Sequence, residues 1–201
     1  SQVTSIAAAD RQLERLMHAA GGPEAFLDQH AVIVASDHSQ AAVDERIRLD
    51  LAFGDFDVAT QSAARSIGAE VAISPAQRAA MIYALDQEHR ETLLPKIVDA
   101  VGELEGVDLM CWLAQTDGSE AVVVSSRGEL RFSPGGDLED DGGSRWSVEG
   151  DLATLEAEIE DGHLICAEYP DALSRLWSAL RCPTAGDVLL SATPGYEFVD
   201  W

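Results

Sequence analysis

The unbroken apolar run Ala31-Val32-Ile33-Val34-Ala35 constrains the fold more than any other feature of this chain. A strand with one solvated face alternates apolar and polar side chains, so a run without alternation reads as a strand buried on both faces of a parallel sheet. Upstream, from Ile6, residues Leu13, Leu16, Met17 and Ala20 recur at helical spacing and Gly21-Gly22 supplies a stop. The spacing predicts an amphipathic helix over 2–20, then a short turn containing Phe26 and Leu27. Helix followed by buried strand is the repeating unit of an α/β sheet, in which functional groups gather just past the carboxyl ends of strands. Ser36-Asp37-His38-Ser39 occupies that place.

The remainder of the chain keeps this character. Val71–Ser74 and Ala79–Leu85 read as two short strands around Pro75-Ala76-Gln77-Arg78, the second equally compatible with a helical turn. Leu94, Ile97, Val98, Val101 and Leu104 make a helical stripe, with Thr92 as N-cap and Pro95 tolerated in the first turn. Val107–Leu113 and Ala121–Ser125 are strand-like, and Ser126-Arg127-Gly128-Glu129 turns the second into Leu130-Arg131-Phe132 as in a hairpin. Pro134–Gly143, rich in Gly and Asp, reads as an exposed loop. Leu173, Leu176, Trp177 and Leu180 predict a helix entered through Pro170-Asp171, and Gly186-Asp187 leads into the buried run Val188–Ala192. The expected organisation is one α/β domain with a β-rich insertion at about 109–164.

Charge excludes several functions. The 201 residues carry 36 acidic and 13 basic side chains, a formal net charge of −23. Such a surface repels phosphate backbones and anionic lipid heads, so no nucleic-acid polymer is expected as a partner, and an anionic substrate needs local attraction. Cys111, Cys166 and Cys182 are odd in number, widely spaced and set among apolar residues, unlike a disulfide framework or a paired-thiol zinc site. A reducing, cytoplasmic setting is the corresponding expectation. No apolar run reaches the roughly 18 residues needed to span a bilayer.

Asp37 and His38 form the sharpest chemical pair, since carboxylate oxygen and imidazole nitrogen are ligands suited to a divalent metal such as zinc. Neighbours on a strand point to opposite faces, and a strand-to-loop junction supplies the bend that lets both reach one ion. The plainer alternative is that Asp37 caps a following helix and His38 lies on the surface. His18 and His89 read as surface or capping residues, His163 as a turn residue, and His30, one residue before the buried run, falls at the opposite end of the sheet from Asp37. The cluster Asp137, Glu139, Asp140, Asp141 lacks the alternation of a calcium loop and reads as a solvated loop. Gly135-Gly136 and Gly142-Gly143 do not open helices, which argues against a phosphate-cradling loop, and Arg78 reads as a strand-edge arginine covering apolar surface.

Order along the chain adds a resemblance. Ala8-Ala9-Asp10-Arg11-Gln12-Leu13-Glu14-Arg15-Leu16, a glycine break, Ala31–Ala35 and then Ser36-Asp37-His38 together resemble the alkaline phosphatase superfamily, in which an Asp-x-x-Leu-x-x-Leu helix precedes a strand ending in Ser-Asp-His-Gly. Ser39 stands where that family usually has Gly. Pro75-Ala76-Gln77-Arg78-Ala79-Ala80-Met81-Ile82-Tyr83 is similar to the arginine-to-tyrosine strand of the type I phosphodiesterase and nucleotide pyrophosphatase branch, followed by a helix and a Gly106-Val107 strand. Tyr169-Pro170-Asp171, Ala185-Gly186-Asp187-Val188-Leu189-Leu190 and Pro194-Gly195-Tyr196 also resemble that branch.

The resemblance implies an alkaline-phosphatase-like α/β/α sandwich, of which residues 1–201 are the C-terminal portion of the catalytic domain. It implies two divalent metal ions, most often zinc, with Asp37 and His38 binding one of them. The reaction implied is in-line displacement on a small phosphate ester or nucleotide-like substrate by a Ser or Thr nucleophile, through a phospho-enzyme that water hydrolyses. The family places that nucleophile, the first Asp ligand and an Asp-x-x-x-His pair before the helix that opens this chain, and the last His ligand after its Pro-Gly-Tyr element. The remainder of the domain is thus an expected partner, and residues 1–201 alone are expected to be inactive. A non-catalytic relative that binds a ligand or partner, or a phosphomutase or sulfatase relative, shares the same scaffold.

Overall fold

The computed structural model describes residues 2–35, 40–59, 68–114 and 118–199, which fall into two compact units, 1–40 and 41–201. The first contains α1 (Gln2–Ala19) and α2 (Pro23–Leu27). The first helix is where its spacing predicts, whereas the expected turn around Phe26 is a helical turn, begun by Pro23 at a position where its missing N–H costs nothing. Val3, Ile6 and Leu16 of α1 are exposed, and no described residue of this unit is buried.

The run 31–35 forms no strand, contrary to its apolar pattern, and Ile33 and Val34 are 89% and 86% exposed. A strand exists only where a neighbour takes its N–H and C=O groups, and the described residues of this unit contain no other strand.

The second unit is built on one large open sheet. Its strands are β2 (Val71–Ala76), β3 (Ala79–Ala84), β4 (Val107–Leu113), β5 (Ala121–Ser125), β6 (Gly128–Asp140), β7 (Arg145–Gly150), β8 (Ala157–Glu160), β9 (His163–Cys166) and β10 (Val188–Ala192). Their order is β2-β3-β10-β4-β5-β6-β9-β8, with β7 added to the free edge of β6. Pairing is antiparallel except for the short β6–β9 contact. A separate parallel pair joins β1 (Glu45–Ile47) to β11 (Tyr196–Phe198).

Helices cover both faces, which makes this a mixed α/β fold. On one face α3 (Leu49–Ala52) and α4 (Arg90–Gly102) bury Leu93, Leu94, Ile97 and Val101 with Ile82, Met110, Val188 and Leu190. On the other, α5 (Ala172–Leu180) buries Leu173 and Leu180 with Cys111, Val123, Leu130 and Phe132. Met110 on one side and Leu109 and Cys111 on the other explain why β4 reads as apolar throughout. Coverage of both faces, and not parallel pairing, removes the alternation.

Three local expectations change. Thr92 is not a cap: α4 begins at Arg90, Thr92 Oγ1 donates to the His89 carbonyl at 2.9 Å, and Asp86 accepts the His89 N–H at 3.2 Å. Pro95 therefore lies inside the helix, where it leaves the Glu91 carbonyl without its helical donor. Residues 134–140, predicted as loop, continue β6, which pairs with β7 across a register shift between Pro134 and Leu138. Gly and Asp there mark an irregular strand and a turn instead of an open loop. No helix among the described residues is long and apolar enough to cross a membrane.

Candidate functional site

Asp37 and His38, the metal ligands expected from the sequence, lie outside the described residues, as do Ser36 and Ser39. The chain that follows them is firmly held. The N–H groups of Asp44 and Glu45 both donate to the Gly195 carbonyl, at 2.9 and 3.1 Å, and β1 then runs parallel to β11 with Glu45 opposite Tyr196.

Three of the other segments that carry the resemblance meet in the sheet. The strand after Arg78 is β3, Gly106-Val107 opens β4, and Gly186-Asp187 opens β10; the three strands are neighbours in the order β3-β10-β4. At one end of this trio the connecting loops are tied together by the backbone. Ala192 N–H donates to the Arg78 carbonyl at 2.9 Å, Thr193 N–H to Gly106 at 2.8 Å, and Phe198 N–H to Gln77 at 2.7 Å. Gln77 adopts φ +57°, a conformation that closes the tight β2–β3 turn. Arg78 does more than cover apolar surface: its Nη2 donates to the Ala192 carbonyl at 2.8 Å, while its buried Nε has no partner.

Gly106 is required there by both backbone and space. Its φ is +88°, and a Cβ on it would lie 2.3 Å from Cδ1 of Tyr196. The Tyr196 hydroxyl donates to Glu105 at 3.2 Å. Beside this end runs a cleft of about 300 Å³ lined by Gln77, Phe198, Val199, Arg46 and Glu197. Arg46 and Glu197 approach to 3.3 Å, so this cleft has little net charge to offer an anion.

At the opposite end Asp187 acts structurally. Its carboxylate accepts Arg90 Nε at 2.6 Å and the Ala84 N–H at 2.7 Å, joining β10, α4 and β3. Gly186 lets β10 approach β3, since a Cβ there would sit 2.8 Å from the Ile82 carbonyl.

Two polar clusters take roles beyond those read from the sequence. Between Ser191 and Ala192 the β10–β4 register shifts so that Asp108 is the extra residue of a bulge. Its carboxylate accepts Arg127 at 3.1 Å and the Tyr169 hydroxyl at 2.9 Å. Arg127 also donates to the Tyr169 hydroxyl and the carbonyls of Ala153 and Thr154. Burial, helped by the Asp108 carboxylate, pushes the Tyr169 phenol up to about 12. A phenol that stays protonated and a saturated guanidinium serve as a clamp, not as acid or base.

The second cluster corrects the solvated-loop reading. Asp140 is only 5% exposed, and it accepts Trp146 Nε1 at 2.7 Å, Ser174 Oγ at 2.8 Å and the Ser144 N–H at 2.8 Å. It links the β6–β7 hairpin to α5. Only the pattern of the turn, an Asp followed by Asp-Gly-Gly-Ser, hints at this in the sequence.

The described histidines are exposed, and His30, expected at one end of a sheet, has no strand after it. His18 and His163 are exposed, His30 stacks on Phe26 at 4.5 Å, and His89 pairs with Asp86 at 2.8 Å. Cys111 and Cys166 are buried, but Cys182 is exposed, unlike the apolar setting its neighbours suggested. Among the described residues no group of three His, Cys, Asp or Glu is arranged to hold a metal ion. Set against protein-family models, curated proteins and solved structures, the chain matches none.

Proposed function

We propose that the polypeptide containing these residues is a metal-dependent phosphoric ester hydrolase of the alkaline phosphatase superfamily, akin to its phosphodiesterases and nucleotide pyrophosphatases. The observation that carries the reading is the order of segments. An Asp10-x-x-Leu13-x-x-Leu16 helix, Ser36-Asp37-His38, the Arg78–Tyr83 strand and the Gly186-Asp187-Val188 strand follow one another as in that branch. Support comes from β3, β10 and β4 being sheet neighbours. Segments that share one family's pattern, though distant in sequence, are expected to meet in its fold.

In this reading Asp37 and His38 hold one of two divalent ions. The donor chemistry fits zinc, which takes carboxylate oxygen and imidazole nitrogen as ligands. When bound, the ions supply positive charge that attracts and polarises a phosphoryl group within a protein of net charge −23. The chain's own part is to fix the polypeptide that leaves the ligand pair, through the grip of Gly195 on Asp44 and Glu45. The nucleophile and remaining ligands belong to polypeptide outside residues 1–201. The substrate class is a small phosphate ester or a nucleotide-like diester.

Hydrolysis of a generic aryl phosphodiester by the full-length protein tests the reading. Turnover that is lost with chelator, restored by zinc and lost in Asp37→Ala and His38→Ala supports it. A folded, zinc-loaded full-length protein that leaves aryl monoesters and diesters intact contradicts it.

A further inference from the structure

One face of α4 carries a second, independent message. Glu91, Leu94, Pro95, Val98 and Asp99 follow the i, i+3, i+4, i+7, i+8 pattern of a single stripe. With Trp112 of β4 they line a groove of about 580 Å³. Glu91, Pro95 and Asp99 are exposed, and Val98 and Trp112 half-buried. The groove therefore has an apolar middle with a carboxylate at each end. Eight residues at 1.5 Å rise put those ends about 12 Å apart along the helix.

The charges at the groove are unbalanced. Arg90, which also borders it, is committed to Asp187 at 2.6 Å. Neither Glu91 nor Asp99 has an ion-pair partner among the described residues. Lys96 borders the neighbouring groove together with Asp99, Asp55 and Glu70, so its one charge is shared among three carboxylates and makes no ion pair with Asp99.

The geometry points to this groove as a binding site for a linear aliphatic dication, of the diamine or polyamine class. Its ammonium ends meet Glu91 and Asp99, and its methylene spacer lies on Leu94, Pro95, Val98 and Trp112. Charge complementarity selects the cationic ends, and the apolar floor selects a spacer over a compact inorganic ion. A second copy of this chain is a poor occupant, since it brings another 23 negative charges.

Calorimetric titration of the full chain with the eight-carbon α,ω-diamine tests this, because that molecule spans roughly the axial separation of the two carboxylates. One saturable site is expected, with octylamine and the four-carbon diamine each binding about fivefold more weakly. Glu91→Gln and Asp99→Asn should each cost about three- to fivefold, the range of one exposed ion pair. Both changes replace exposed carboxylates and preserve shape, so folding is maintained. Glu158→Gln with Glu160→Gln on the exposed β8 edge should change nothing. The proposal is overturned if binding follows ligand charge and ionic strength alone, without regard to spacer length. It is equally overturned if the β8 pair of changes weakens binding as much as the α4 pair.

Discussion

The Asp140 carboxylate holds the indole N–H of Trp146 at 2.7 Å in a site almost closed to solvent. Burial alone raises a carboxyl pKa, but here the donors Trp146, Ser174, Ser144 and Gly142 together outweigh it, and Asp140 lies below its ordinary value of 3.8. Asp140→Asn turns an acceptor into an amide donor that faces existing donors. The expected loss is about 1–3 kcal/mol, read from urea unfolding. Because the folded value is depressed, the carboxylate's contribution is present above the unfolded value and is lost as pH falls through the folded one. The gap between wild type and Asp140→Asn should therefore be constant near neutrality and shrink below about pH 4.

Gly106 and Tyr196 make a second, sharper test. An alanine at 106 meets both a positive φ and the tyrosine ring. Gly106→Ala should cost roughly 2–4 kcal/mol, combining backbone strain with overpacking. Adding Tyr196→Ala should recover the steric part and leave the strain. A cycle of the two changes that is additive would place the ring elsewhere.

Arg127 ties four residues together at once: Asp108, Tyr169 and, through their carbonyls, Ala153 and Thr154. Removing it strands a carboxylate whose side chain is 11% exposed. Arg127→Met should lower stability by about 2–3 kcal/mol, and Arg127→Lys should rescue little of it, since one ammonium cannot reproduce the fork. Asp108→Asn in the Arg127→Met background should regain part of the loss.

The cysteines differ in reactivity. Burial pushes the Cys111 thiol far up, and it raises Cys166 with help from Asp141 and Asp140. Cys182 is exposed, and its contact with Thr184 draws its thiol down. In the native protein a thiol reagent such as iodoacetamide should label Cys182 alone, with Cys111 and Cys166 reacting only after denaturant is added. Peptide mapping reads the outcome.

Much of the fold was legible because its signals are local. The α1 spacing, the Ser126-Arg127 hairpin turn, the α5 stripe and the β10 run each depend on a few adjacent residues, and each element formed where expected. Strand direction was not legible, because two-sided burial by α4 and α5 gives antiparallel strands the composition of parallel ones. Residues 31–35 went wrong for a related reason: apolarity reports a wish for cover, and pairing depends on a neighbour. The side-chain partners of Asp108 and Asp140 lie up to 61 and 34 residues away, beyond any local pattern. The Asp37–His38 pair rests on its donor chemistry and on motif order, and it lies outside the described residues.

Elemental analysis of the purified full-length protein addresses the phosphoryl-transfer reading at its root, without depending on the choice of substrate. About two zinc ions per chain are predicted, falling to one or fewer in Asp37→Ala and in His38→Ala while the far-ultraviolet dichroism stays unchanged. A folded protein whose metal content is indifferent to both substitutions would contradict it.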